Sequence, residues 1–201
     1  MCSVTMKYDI VWKSNPYVKG VIDEPPNVGH PATSTTPAGI GDENLVTSWE
    51  KAHGFDVGNP FKPPVIHHIP TILDNFRDKT IVELGAVSLD NKYDEHIVNN
   101  FIQKTFGSEQ LVQIRRRNHP TLHNTFTTKV APNIAEYGTY PEYLDIICSC
   151  KRFVCLFSGS MALASALNTN NLFDIHCVYH RRNFGELGAT FVFDNVEYSE
   201  I

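Results

Sequence analysis

The sequence has no apolar run long enough to cross a membrane, no internal repeat and no low-complexity tract. Charged residues at 19% and hydrophobic residues at 42% of 201 positions exclude the charge-rich, core-poor composition of a disordered chain. Positive charge is not in excess either. A formal net charge of −5 argues against a duplex-binding protein, which presents a net basic face, so no nucleic-acid partner is expected. Cysteine is sparse and odd in number, at Cys2, Cys148, Cys150, Cys155 and Cys177. The last four fall in segments that read as core strand or helix, which excludes a disulfide framework and predicts reduced thiols. The first twelve residues carry Lys7 and Asp9 inside their apolar stretch and so lack the secretory pattern of basic start, apolar middle and small-residue cleavage site. The expectation is a cytosolic protein.

Metal-ligand spacing is also missing. His67-His68 and Asp174-Ile175-His176 have no further ligands at the spacing of a zinc site, and Cys148 and Cys150, two apart on a helix, do not share a face. These residues read as packing or exposed side chains, and no metal or cofactor is expected.

What is present is organised in two parts. Residues 8–12 form a short β-prone run, residues 23–37 a polar connection with four prolines, and residues 43–53 a helix with Leu45, Val46, Trp49 and Ala52 near helical spacing. Prolines at 60, 63, 64 and 70 limit residues 65–69 to a short strand at most. From Lys79 onward strand-like apolar runs alternate with helical ones, the pattern of a doubly wound parallel sheet. Strands are predicted at 80–87, 111–115, 128–134, 152–157, 175–179 and 190–193. Helices are predicted at 93–104, with Ile97, Val98, Phe101 and Ile102 inward, at 139–150, with Thr139 and Glu142 as a capping pair and Pro141 in the first turn, and at 160–167. The fold class is therefore α/β, a Rossmann-like parallel sheet with helices on both faces over residues 76–201, preceded by a partial α/β region over residues 1–75.

Chemistry concentrates where Phe153-Val154-Cys155-Leu156-Phe157 turns through Ser158-Gly159-Ser160 into an Ala-rich helix. In an open parallel sheet ligands bind beyond the carboxyl ends of the strands, and a helix starting there offers unpaired N–H groups and the positive end of its dipole. Gly159 permits close approach, and Ser158 and Ser160 bring hydroxyls. Any strand-to-helix turn favours Ser and Gly, so the spacing alone favours a purely structural turn over a phosphate site. A serine nucleophile is not indicated, because the Gly-x-Ser-x-Gly elbow is incomplete. Arg115-Arg116-Arg117, with His119 nearby, ends the second strand and reads either as a solvated loop or as an anion clamp.

The stretch Ser158-Gly159-Ser160-Met161-Ala162-Leu163-Ala164-Ser165-Ala166-Leu167 resembles the donor-site signature of two-domain (GT-B) glycosyltransferases related to the lipopolysaccharide heptosyltransferases, Thr-Gly-Pro-Met-His-Leu-Ala-Ala-Ala-Leu after a strand. Gly85, Ala86, Ser88, Lys92 and Tyr93 resemble the same family's turn after the first donor-domain strand. The resemblance implies a diphosphate cradled by Ser158, Gly159, Ser160 and Met161, with Ser88 and Lys92 as further donors; Arg115 is a candidate anion contact from its place at the end of a strand on the same sheet edge. It implies a nucleoside diphosphate sugar as donor, a saccharide or other hydroxyl acceptor, and residues 1–75 as a truncated acceptor side with its linker. Gly39-Ile40-Gly41-Asp42 resembles the family's Gly-x-Gly-Asp loop and nominates Asp42 as general base, although a helix N-cap explains Asp42 equally well. Phe157 and Ala162 stand where the family has an acidic residue and a histidine. The alternative is a non-catalytic relative that binds or scaffolds, with a partner chain or a second copy completing its site.

Overall fold

The computed structural model describes residues 15–17, 43–52, 54–55, 58–85, 93–117, 130–181 and 191–201. Six strands, β1 (Lys79–Glu83), β2 (Gln110–Arg116), β3 (Asn133–Tyr137), β4 (Arg152–Leu156), β5 (Asp174–Tyr179) and β6 (Glu197–Glu200), form one sheet in the order β3-β2-β1-β4-β5-β6. Every neighbouring pair is parallel, so the expected Rossmann-like α/β architecture is what the chain adopts. Among the described residues four α-helices accompany it: α1 (Leu45–Ala52), α2 (Glu95–Phe106), α3 (Tyr140–Ser149) and α4 (Gly159–Leu167). Among the described residues no helix is long and apolar enough to cross a membrane.

Strand periodicity divides the core in two. Ile81, Val112, Ile114, Ala135, Phe153, Cys155, Ile175 and Cys177 face one side, where Leu144 and Ile147 of α3 and Met161 and Ala164 of α4 cover them. Val82, Leu84, Leu111, Val154, Leu156 and Val178 face the other, covered by Val98, Ile102 and Phe106 of α2. Burying both faces explains why β4 reads as an unbroken apolar run.

Local sequence places the helix starts. The Asp94 carboxylate accepts from the backbone N–H of His96 and Ile97 and caps α2. The buried stripe of that helix is Val98, Ile102 and Phe106. Ile97, expected to point inward, is half exposed, because it lies about 100° around the helix from Val98, on the side away from the buried Asn99. Thr139 caps α3 by accepting from Glu142 N–H, and the Glu142 carboxylate accepts from Gly138 N–H at 2.7 Å, so the reciprocal bond falls one residue before the cap.

α1 is capped by Asn44, whose side-chain oxygen accepts from Thr47 N–H at 3.0 Å while its amide donates to the carbonyls of Lys62 and Val192 at 2.8 and 2.9 Å. After a turn at residues 60 and 61, residues 62–73 carry neither helix nor ladder and pass over α4 and α3. Ile66 N–H bonds the Ala166 carbonyl, Thr71 N–H bonds the Asp145 carboxylate and Leu73 N–H bonds Ser149 Oγ. Val46, Ile66, Leu73 and Phe76 pack on the α3/α4 side of the core. The described part of the region expected as acceptor side and linker thus shares its apolar core with the sheet.

The sixth strand differs from expectation. Residues 190–193 were predicted as strand, yet Phe193 is buried outside the sheet, its N–H bonded to Tyr198 Oη, and the strand is Glu197–Glu200. An edge strand with half-exposed faces needs no apolar run, so hydrophobicity marked the anchoring loop instead. β3 likewise lies at Asn133–Tyr137 rather than at 128–134.

Candidate functional site at the carboxyl edge of the sheet

The strand order reverses between β1 and β4. From β1 the chain lays β2 and β3 to one side, and from β4 it lays β5 and β6 to the other. Glu83 and Cys155 are register partners there, so the end of β1 and the turn after β4 lie side by side.

Ser158 is the extended N-cap of α4, yet its hydroxyl makes no capping bond. The Ser158 Oγ is buried and has no hydrogen-bond partner among the described residues. A side chain built on Gly159 would meet nothing within 4 Å. Ser160 follows at the second position of the helix. Met161 turns inward: its side chain is fully buried in the α3/α4 core, and its N–H bonds the Ser158 carbonyl at 3.1 Å. Met161 therefore anchors the turn, and Ser158, Gly159 and Ser160 border the edge. Asp42, Ser88 and Lys92 lie outside the described residues.

Three side chains that the sequence reading did not single out meet the turn. Glu83, the last residue of β1, accepts a hydrogen bond from the Tyr143 hydroxyl of α3. The Ser160 hydroxyl lies close enough to both to favour their charged forms. Tyr137, at the end of β3, stacks against Tyr143 with ring centroids 4.7 Å apart. Burial pushes the Glu83 carboxyl up from 4.5 to about 7, against the opposing pull of Tyr143 and Ser160. Burial, with the Glu83 charge beside it, holds the Tyr143 phenol well above its ordinary range. The Tyr137 phenol is pushed up to about 12, chiefly by burial and then by Glu83, with Arg116 opposing.

The arginine cluster divides between the faces. Arg115 alternates with Leu111 and Gln113 and stands on the α2 side, whereas Arg116 follows Val112 and Ile114 onto the α3 side, where its charge acts on Tyr137. Arg117 N–H bonds the Tyr137 carbonyl at 2.7 Å. Of the three, Arg116 shares a face with Glu83. The only sequence signal for Glu83 was an acid closing an otherwise apolar strand.

The remaining candidates behave as packing groups. Cys148, Cys150, Cys155 and Cys177 are free and buried. His68 pairs with Asp145 at 2.9 Å, and His176 lies under the Phe101 and Phe106 rings with Nε2 3.0 Å from Ser199 Oγ. Among the described residues no group of three or more His, Cys, Asp or Glu side chains is placed to hold a metal ion.

The edge thus combines a helix N-terminus, an unpartnered buried hydroxyl, an open glycine and a carboxyl poised near neutrality, a set suited to holding an anion and exchanging a proton beside it. Comparison of the chain with known protein families, curated proteins and solved structures finds no match.

Proposed function

We propose that the chain is a glycosyltransferase-like protein that holds the diphosphate of a nucleoside diphosphate sugar at Ser158, Gly159 and Ser160 and passes the sugar to an acceptor hydroxyl. The observation that carries this reading is the Ser158 hydroxyl, buried and unpartnered beside the open face of Gly159 at the point where strand order reverses. A ligand oxygen there would meet backbone N–H groups and the positive end of α4, which stabilise a departing diphosphate without a metal. The resemblance of residues 158–167 to a donor-site signature supports the same ligand class. Ser88 and Lys92 are proposed as further phosphate contacts and Asp42 as the base; among the arginines it is Arg116, not the expected Arg115, that shares the Glu83 face.

A second reading, a binding or scaffold subunit without catalysis, is favoured by Phe157. It occupies the position of the family's acidic residue and is buried in the core against Phe191, so this position brings no charge to the donor.

Thermal unfolding with a panel of nucleoside diphosphates and nucleotide sugars tests the ligand class. A ligand at about 100 times its Kd stabilises by about 2.7 kcal/mol. Gly159→Leu, whose Cβ would meet nothing within 4 Å, should keep the fold and lose that shift. A well-folded wild-type chain that no nucleotide shifts at millimolar concentration would refute the donor site. A shift without nucleoside diphosphate release in the presence of acceptors would favour the scaffold.

A further inference from the structure

We infer that Glu83 is a ligand-contacting residue of this site and meets the donor's phosphates as a neutral acid, so that the anion binds together with a proton. The inference rests on the diphosphate reading and adds a residue and a proton to it.

The geometry comes from three elements. Glu83 ends β1, Tyr143 reaches it from α3, and Ser160, in the first turn of α4, lies close to both. Glu83 also stands opposite Cys155, three residues before the turn, so a ligand oxygen at the α4 N-terminus would come near the Glu83 carboxyl. The groups facing Glu83 are Tyr143 from α3, Tyr137 from β3, Cys155 from β4 and Ser160 from α4, with Arg116 of β2 acting on Tyr137. Among the described residues no cation pairs with Glu83, and its hydroxyl neighbours are neutral at physiological pH. An arriving phosphate would meet an uncompensated carboxylate in a partly buried site, where like charges repel strongly. Protonation removes the repulsion and converts an acceptor-only group into a donor toward the phosphate oxygen. With its carboxyl near 7, Glu83 gains that proton readily at neutral pH.

Inorganic pyrophosphate is the probe, since it carries the diphosphate and nothing else of the donor. Calorimetric titration of the full chain at pH 7 in buffers of different ionisation enthalpy measures proton uptake, and the Glu83→Gln variant is measured alongside. The ligand's own ionisation is common to both proteins and cancels in the difference. Wild type should take up about half a proton more than Glu83→Gln, as expected for a carboxyl half-protonated when free and fully protonated when bound. The ratio of wild-type to variant affinity should fall about fivefold between pH 7 and 8. Equal proton uptake and parallel pH profiles, with both proteins binding, would overturn the role of Glu83 and leave the diphosphate site standing. Absence of binding to either protein at pH 6, where the carboxyl is neutral, would overturn both. Carbon-13 detection of the Glu83 carboxyl in the wild-type chain gives the same test without a variant: its titration should move upward with pyrophosphate bound, and an unmoved titration would refute the inference.

Discussion

Replacing Glu83 by Gln should flatten the dependence of folding stability on pH. The substitution keeps the side chain's shape and an oxygen for the Tyr143 hydroxyl to bond, while removing the titration. In the folded chain the carboxyl titrates near 7, and in the unfolded chain near its ordinary 4.5. Below 4.5 it is neutral in both states and costs nothing. Between 4.5 and 7 the unfolded chain ionises while the folded one holds its proton, so stability falls as pH rises. Above 7 the loss is complete. At about 1.4 kcal/mol per pH unit, the full loss is on the order of 3 kcal/mol, of which about 2 to 3 falls between pH 5 and 8. For a chain of this size that corresponds to about 5–10 °C in Tm. Urea unfolding of both proteins at pH 5, 6, 7 and 8 isolates the contribution, because other titrating groups cancel in the difference. Parallel profiles would refute the idea that β1 ends on a desolvated acid.

Three further outcomes are expected. Asn44→Ala should destabilise by about 2–3 kcal/mol in urea unfolding, since it removes the α1 cap and leaves the carbonyls of Lys62 and Val192 without their donor. Ser158→Ala should leave the stability of the free chain within about 0.5 kcal/mol, because it deletes a buried hydroxyl that has no partner among the described residues, while weakening nucleotide-induced stabilisation in the same thermal assay. Cys148, Cys150, Cys155 and Cys177 should resist a thiol reagent at pH 8 until denaturant is added, since burial pushes the Cys148 thiol up to about 12 and the Cys155 thiol well above its ordinary range. Mass spectrometry of the labelled peptides would count them.

The elements with strong local signals were legible in the sequence. Thr139 caps α3 because a hydroxyl before Pro141 and Glu142 has one good use, and β4 followed by Ser-Gly-Ser announces a buried strand turning into a helix. What escaped depended on partners distant in sequence. Asn44 caps α1, and its amide also reaches Val192, a contact no local pattern encodes. Glu83 becomes noteworthy only when α3 brings Tyr143 over it, sixty residues on. Alternation along β2 would have favoured Arg116 over Arg115 as the arginine sharing Glu83's side, had the face of each strand been known. The polar sixth strand carried no hydrophobic signal at all.

The clamp formed by Asn44, Asn59 and Phe61 with residues 192–194 has a consequence for the order in which the molecule is assembled. Asn44 bonds Val192 across 148 positions, Asn59 bonds Asp194 at 2.6 Å, and Asp194 N–H closes on the Phe61 carbonyl. Contacts of such sequence separation form only after the intervening chain has folded enough to bring their ends together, since the entropy of closing that loop must first be offset. During synthesis β1 to β5 can pair while α1 still lacks its Val192 anchor, so a segment made before the whole sheet is among the last to be secured. Refolding should then show the sheet gaining hydrogen-exchange protection before the amides of residues 44–48 do.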